Sequence, residues 1–203
     1  MEASAQISRR LRFRWNCSKT HLSSAITPSC QSRSTCDAAT PCTQWTVRDL
    51  LAYIAAVNRK YTGIALGDPW ELGVPVVDLK NDPARAYHDT IRPLLEAWKQ
   101  PGALQRELEL PVGRKSAELA LWVHLRETLV HGWDLAAATK QWASFDDEVV
   151  EASLAHAQQL DPVPAARPAG LGFAGAVDAP ASAEPIIRLA AFFGRDVSTW
   201  SWT

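Results

Sequence analysis

The spacing of apolar residues along the chain predicts four main helices and a short final one. Apolar side chains recur three and four residues apart, which is typical of helices that bury one face. Helices are expected at about 46–62, 82–98, 116–139, 146–160 and 184–193. The third of these is the longest and is apolar on nearly all sides, so we expect it to lie at the centre of the fold.

Local signals support two of these helix starts. Thr46 precedes Asp49 by three residues, the spacing of a capping box in which both side chains bond to free backbone N–H groups. Asp82 precedes Pro83, and this order suits a helix cap followed by a first turn. Both signals place a helix start just before an apolar stripe begins.

Two other segments do not have a helical pattern. Residues 104–110 alternate between apolar and polar side chains and predict a short strand or extended arm, with a turn at 111–113. Residues 161–183 are rich in Pro, Ala and Gly and predict a long surface loop. Together the segments predict an all-α four-helix bundle with a short extended arm and long loops.

Composition narrows the class of protein. The 203 residues are 47% hydrophobic and 21% charged, which is an ordinary balance for one globular domain. The net charge of −1 gives no reason to expect nucleic acid or a membrane surface as a partner. The sequence has no run of 18 apolar residues and no secretory signal, so a cytoplasmic protein is expected.

The start of the chain differs from the rest. Residues 1–36 are rich in Ser and Arg and carry six basic side chains against one acid, so this segment is predicted to be poorly ordered. Residues 37–203 are expected to form the bundle. The four cysteines lie within the first 42 residues without a Cys-x-x-Cys pair, and we expect them to be reduced.

The third helix carries the residues with the clearest chemical potential. His124, Glu127 and His131 are three and four residues apart and share one face of an otherwise apolar helix. A buried carboxylate between two imidazoles needs a hydrogen-bond network or a metal ion. Two hypotheses follow: Glu127 and His131 bind a divalent metal with a ligand from a facing helix, or they simply pair with each other.

Two stretches of sequence resemble a known family. Residues 40–51 (TPCTQWTVRDLL) and 129–136 (LVHGWDLA) are similar to the two signature stretches of the DinB-like bundle family that includes mycothiol-dependent maleylpyruvate isomerase. The resemblance extends to the closing LAAFFGRD stretch at 189–196. It is strongest to the single-domain, metal-binding branch of that family, and it implies a DinB-like four-helix bundle.

The resemblance also implies a set of metal ligands. The family holds a divalent ion, zinc or nickel, with a His on the first signature helix and with a Glu and a His four residues apart on the third. Glu127 and His131 match the latter pair, whereas the first His falls at Tyr53. The Tyr53 phenol either binds the metal or packs in the core, and His124 either replaces the missing ligand or orients Glu127.

The implied activity is that of a thiol-using transferase or isomerase. Such an enzyme would hold a low-molecular-weight thiol, mycothiol, at the metal and act on a small molecule, as a monomer or homodimer. The alternative hypothesis is a non-catalytic bundle that has lost one metal ligand and binds a small molecule or a partner. The isomerase itself carries a further C-terminal domain, so maleylpyruvate isomerisation is not assigned.

Overall fold

The computed structural model describes residues 33–42, 45–71, 73–74, 77–79, 82–110, 113–161, 164 and 172–200. Within these ranges the chain forms the following α-helices: α1 Arg33–Cys36, α2 Val47–Leu66, α3 Pro83–Trp98, α4 Ala117–Thr139, α5 Asp147–Leu160 and α6 Pro185–Phe192. The predicted all-α class is confirmed, because the described residues otherwise contain one 3-10 turn and one two-stranded sheet.

The helix boundaries follow the local signals closely. Thr46 and Asp49 form the predicted capping box at the start of α2. This helix extends one turn beyond the predicted end and stops at Gly67, whose φ of 110° lies in the left-handed region that glycine adopts without strain. Asp82 caps α3 through the backbone N–H of Arg85, with Pro83 in the first turn.

The predicted arm is a hairpin rather than a single strand. Residues Ala103–Gln105 form a 3-10 turn, β1 covers Glu107–Leu110, and β2 covers Gly113–Ser116. The two strands pair antiparallel, with Glu107 opposite Ser116. The second strand lacks an apolar alternation, since all four of its residues are exposed, so the sequence pattern did not reveal it.

Helix α4 lies between two helical layers. It packs against α2 on one side and against α5 and α6 on the other, while α2 also packs along α3. Large apolar side chains such as Trp133, Leu189 and Val150 fill the space between α4, α5 and α6. Fourteen of the 23 residues of α4 are buried and none is fully exposed, which agrees with its apolar character and places His124, His131 and Asp134 inside the bundle.

The poorly ordered segment expected at 1–36 lies outside the described residues except for 33–36, which form α1. The expectation of four reduced cysteines is wrong for Cys36, which is disulfide-bonded, whereas Cys42 is a free thiol. None of the described helices is long and apolar enough to cross a bilayer.

Candidate functional site

Glu127 and His131 meet on the buried face of α4, one helical turn apart. Nε2 of His131 lies 3.2 Å from Oε2 of Glu127, and the exposed fractions of the two side chains are 0% and 13%. This distance is that of an ion pair, and Nε2 is a buried atom that has no hydrogen-bond partner among the described residues. A buried imidazole nitrogen without a partner is costly unless another group, such as a metal ion, binds there.

The other nitrogen of His131 is held firmly. Nδ1 lies 2.9 Å from Oδ2 of Asp134, which comes three residues later on the same helix. Arg195, just beyond α6, donates from Nε to Oδ1 at 2.9 Å and from Nη2 to Oδ2 at 2.7 Å, so it grips both carboxylate oxygens. Its Nη1 also donates to the carbonyl oxygen of Phe193 at 3.0 Å. When Nδ1–H of a histidine donates to a carboxylate, the lone pair of Nε2 is available to bind a metal ion, as in metal-binding histidines.

The charges in this network stabilise one another. Burial tends to raise the pKa of Asp134, but the Arg195 guanidinium and the hydrogen bond from His131 outweigh it and hold that pKa below its usual range. Burial likewise opposes protonation of His131, yet the Asp134 and Glu127 carboxylates outweigh it and raise the pKa of this imidazole. The site therefore attracts a positive charge at His131, which either a proton or a metal ion can supply.

Tyr53 reaches the same carboxylate from α2. Its hydroxyl donates to Oε2 of Glu127 at 3.2 Å, so this oxygen faces both the phenol and the His131 imidazole. Burial, followed by the nearby Glu127 charge, raises the pKa of Tyr53 well above its ordinary value. The phenol therefore keeps its proton and serves as a hydrogen-bond donor to the carboxylate. A tyrosine that binds a divalent ion does so as the phenolate, which this environment disfavours.

Aromatic rings and one glycine enclose the His131 ring. Phe173 stacks on it with the ring centres 5.4 Å apart and the planes at 4°, and Tyr53 meets it edge-on at 5.3 Å. Trp45 lies 4.6 Å from Tyr53, ring centre to ring centre. A Cβ at Gly172 would lie 3.1 Å from Cε1 and 3.2 Å from Nε2 of His131, so the chain at Gly172 passes close to this edge of the ring. The enclosure lowers the local dielectric and strengthens every charge interaction inside it.

Cys42 lies in one cluster with His131 and Asp134. Its Sγ, a ring nitrogen of His131 and a carboxylate oxygen of Asp134 all lie within 4.8 Å of one another. The Cys42 thiol donates to the carbonyl oxygen of Gly172 at 3.6 Å. Burial raises the pKa of Cys42 to about 11, with Arg195 acting in the opposite direction. Without a bound cation this cysteine is therefore a neutral thiol.

His124 is the predicted candidate that the structure separates from the others. Its Nε2 lies 3.0 Å from Oδ1 of Asn58, and its ring stacks on Tyr61 with the ring centres 4.6 Å apart. Asn58 in turn donates to the Thr90 hydroxyl at 2.8 Å. His124 thus joins α4 to α2 and α3 through a buried network of neutral groups, two helical turns away from His131. Its location does not favour a role as a substitute ligand or as a partner of Glu127.

The sequence pattern does not indicate three members of the cluster: Cys42, Asp134 and Arg195. Asp134 follows His131 by three residues, so helical spacing alone could have paired them. Cys42 lies in the first signature stretch and Arg195 in the closing stretch at 189–196, but they meet His131 only through the tertiary fold. A buried arginine near the end of an apolar helix was the available signal, since such a charge requires a partner.

The donor atoms present fit a divalent ion in part. His131 offers an unpartnered Nε2, and Glu127 offers a carboxylate beside it. Asp134 is less available as a ligand because Arg195 and His131 already engage its oxygens. Tyr53 offers only a neutral phenol, whose hydroxyl already donates to Glu127. Glu127 and His131 are therefore two adjacent candidate ligands for a divalent ion.

Comparisons with known proteins identify the family of this chain. The profile of the mycothiol maleylpyruvate isomerase N-terminal domain matches residues 32–136. Two curated relatives, uncharacterized proteins from the CDC 1551 and H37Rv strains of Mycobacterium tuberculosis, are each 30% identical to the chain over 159 residues. The match covers 78% of this chain and 84% of each relative. No solved structure matches the chain. The chain belongs to the family of the mycothiol maleylpyruvate isomerase N-terminal domain.

Proposed function

We propose that this protein binds a divalent metal ion through Glu127 and His131 and uses it with a low-molecular-weight thiol, mycothiol, in a transferase or isomerase-like reaction on a small molecule. The observation that carries the proposal is the buried Nε2 of His131, which has no hydrogen-bond partner and lies 3.2 Å from the Glu127 carboxylate. The name of the matched family supplies the choice of thiol.

The residues around His131 support its role as a ligand. Asp134 accepts the Nδ1–H bond and so fixes the tautomer in which Nε2 carries the lone pair. Arg195 holds Asp134 at both oxygens, which prevents that carboxylate from turning towards the ion. When bound, the ion would stabilise a thiol cosubstrate as its reactive thiolate.

The aromatic side chains around the site suit a reaction from which bulk water is excluded. Phe173 and Tyr53 contact the His131 ring on two sides, and Trp45 packs against Tyr53. These rings keep the carboxylate and the imidazole out of bulk water, where their interaction with a cation is weaker. The Tyr53 hydroxyl orients Glu127 by donating to it.

Elemental analysis of protein purified without added metal tests the proposal. The wild-type chain should contain about one equivalent of zinc or nickel, because ions bound by buried anionic ligands survive purification. Glu127→Ala and His131→Ala should each remove it. Thr128→Ala, on the same helix between the two ligands, is the matched control and should keep its metal. Metal content that is unaffected by either ligand substitution contradicts the proposal.

The hydrogen bond from Tyr53 to Glu127 favours a second function. Under this hypothesis the protein is a non-catalytic bundle that binds a small molecule or a partner. Tyr53 stands where the family has its first ligand, and its protonated hydroxyl bonds to Glu127 instead of leaving it free. Under this hypothesis the dialysed wild-type protein contains no metal and zinc does not raise its melting temperature. Tyr53→His then restores the family's ligand set and should produce a large gain in zinc affinity.

A further inference from the structure

A short segment of chain, residues 172–177, lies against the His131 ring, and we call it the strap. A Cβ on Gly172 would lie 3.2 Å from Nε2 of His131, and the ring of Phe173 stacks on the imidazole with the ring centres 5.4 Å apart. His131 is 0% exposed, whereas 13% of the Glu127 side chain is exposed. The carboxylate therefore has an edge in solvent, but the imidazole beside it has none.

Main-chain hydrogen bonds anchor the strap to the end of α6. The N–H of Ala174 donates to the carbonyl of Phe193 at 3.3 Å, and the N–H of Val177 donates to the carbonyl of Ala191 at 3.0 Å. The two segments also lie close together at Gly194, where a Cβ would be 2.7 Å from the Cβ of Ala174. Glycine at this place therefore lets the anchored part of the strap pack directly against the chain after α6.

Weaker contacts hold the other end of the strap. The carbonyl oxygen of Gly172 accepts a hydrogen bond from the Cys42 thiol at 3.6 Å, and thiols are weak donors. The Phe173 ring packs against both His131 and Phe193, with ring centres 5.4 and 4.5 Å away. Of these contacts, lifting Gly172 and Phe173 from His131 breaks the thiol bond and the ring stack, and it leaves the main-chain bonds of the anchored part in place.

The other aromatic side chains near the imidazole are held by more extensive structure. Tyr53 belongs to α2, which packs along both α3 and α4, and its hydroxyl donates to Glu127. Trp45 lies in the turn before α2, where its carbonyl oxygen accepts from the Thr40 hydroxyl at 3.0 Å. Residues 174–177, in contrast, belong to no helix or strand. Moving the strap therefore disturbs less of the fold than moving either ring.

We propose that the strap is the movable cover of the candidate site: Gly172 and Phe173 lift away from His131 while residues 174–177 stay anchored, and this opening admits an ion or a small molecule to Nε2. Nε2 is a buried atom that has no hydrogen-bond partner among the described residues, which is an independent sign that a ligand belongs beside it. The inference rests on the proposed function, because the strap covers the same site. Closure excludes bulk water from the imidazole, and opening controls the rate at which the site is filled.

Modification of His131 by diethyl pyrocarbonate in the metal-free full chain tests the opening, because the reagent attacks an imidazole nitrogen only where it can reach one. His124 is equally buried on the same helix but faces Asn58 and Tyr61 rather than the strap. We expect low concentrations of urea to leave the rate at His131 almost unchanged, because a local opening exposes little surface. The rate at His124 should rise steeply with urea, since global unfolding exposes it. Peptide mapping by mass spectrometry gives both rates.

Two variants test the part of the strap that moves. Phe173→Ala removes the ring that stacks on His131 and should raise the rate of modification there by about tenfold, because aromatic pairs contribute energies of that order. Phe192→Ala is the matched control, since Phe192 also packs against Phe193 but belongs to α6. It should leave the ratio of the rates at His131 and His124 unchanged.

The outcomes separate this inference from the function on which it rests. Equal urea dependence at His131 and His124 in the wild type overturns the proposal, because it means that only unfolding exposes His131. An unchanged rate in Phe173→Ala, or an equal acceleration in Phe192→Ala, overturns it as well. If Phe173→Ala does not fold, the urea dependence of the wild-type chain decides. Wild-type protein that binds no zinc contradicts the proposed function alone, since the modification is measured without a metal.

Discussion

Two buried histidines on one helix have opposite electrostatic environments. His124 and His131 lie seven residues apart on α4, and neither is accessible to solvent. His124 faces the amide of Asn58 and the ring of Tyr61, and burial lowers its pKa to about 3. His131 faces two carboxylates that outweigh its burial and raise its pKa.

The comparison shows that the partners of each imidazole decide what it can do. The carboxylates around His131 lie on α4 itself, whereas the amide that faces His124 comes from α2. Neutral partners keep His124 uncharged and make it a structural link between α4, α2 and α3. Anionic partners prepare His131 for a positive charge, and its Nε2 still lacks a hydrogen bond. Burial alone does not distinguish a structural histidine from a ligand.

Metal retention should separate the two histidines most sharply. His131→Gln removes a donor atom of the candidate site and should leave the purified protein without metal. His124→Gln keeps a polar group facing Asn58 and should retain about one equivalent per chain, like the wild type. Elemental analysis of both proteins measures the difference. Equal metal content in the two variants would mean that the contrast between the histidines does not concern metal binding.

Removing the charge of Asp134 should cause the largest loss of stability. Asp134→Asn leaves the Arg195 guanidinium buried without its anion, and breaking a buried pair in this way typically costs about 3–5 kcal/mol. Asn58→Ala, which takes the neutral partner from His124, should cost about 1–3 kcal/mol. Urea denaturation of the metal-free proteins gives both values.

A double variant checks the cause of that loss. Asp134→Leu combined with Arg195→Met removes both charges and should be clearly more stable than Asp134→Asn, because no unpaired charge stays buried. If the double variant is the less stable of the two, the Asp134 carboxylate contributes through packing rather than through its charge.

The pH dependence of stability should differ in sign between the two histidines. The folded-state pKa of His124, about 3, lies below its unfolded value near 6.5, so its contribution is complete above pH 6.5 and is lost as the pH falls towards 3. The loss is about 1.4 kcal/mol per pH unit within that window. The folded-state pKa of His131 is raised in the metal-free protein, so its contribution is complete below about 6.5 and is lost at higher pH.

Variants that lack one imidazole test these two opposite pH dependences of stability. The stability difference between the wild type and His124→Gln should shrink as the pH is lowered from 7 to 4, because the variant has no imidazole to protonate. The difference between the wild type and His131→Gln should shrink as the pH is raised above 6.5. Parallel stability curves for either pair would show that the histidine concerned does not change its pKa on folding.

The smallest predicted effect concerns the backbone over His131. Gly172 has a φ of 86°, and a Cβ there would lie 3.1 Å from Cε1 of the imidazole. Gly172→Ala should therefore cost about 1 kcal/mol for its backbone conformation and a further increment for the contact with His131. Gly102→Ala, with φ of 78° and nothing within 4 Å of the new Cβ, measures the backbone cost alone. An equal cost for both changes would show that the chain over His131 yields without strain.

Sequence patterns revealed the parts of the protein that depend on nearby residues. The capping box of Thr46 and Asp49 and the helical spacing of Glu127 and His131 involve separations of three and four residues, which helix geometry fixes. The same geometry grouped His124 with them, since seven residues return almost to the same face of a helix. Only the packing of α2 shows that His124 meets Asn58 while His131 lies near Tyr53.

Contacts between distant parts of the chain could not be read in the same way. Arg195 meets Asp134 across 61 residues, and Cys42 meets Gly172 across 130. Helical spacing contains no information about such pairs, because they depend on how the layers of the bundle come together. The hairpin strand Gly113–Ser116 was missed for another reason: exposed residues leave no apolar pattern.

The link between Asp134 and Arg195 also has a consequence for synthesis of the chain. Asp134 emerges 61 residues before the arginine that neutralises it. At about 5–20 residues per second, ribosomes take roughly 3–12 s to make that stretch. During this interval α4 carries a carboxylate, destined for the interior, that has no cation. Helix α4 therefore cannot reach its final packing until α6 and the residues after it have been made. The order of synthesis delays completion of the site.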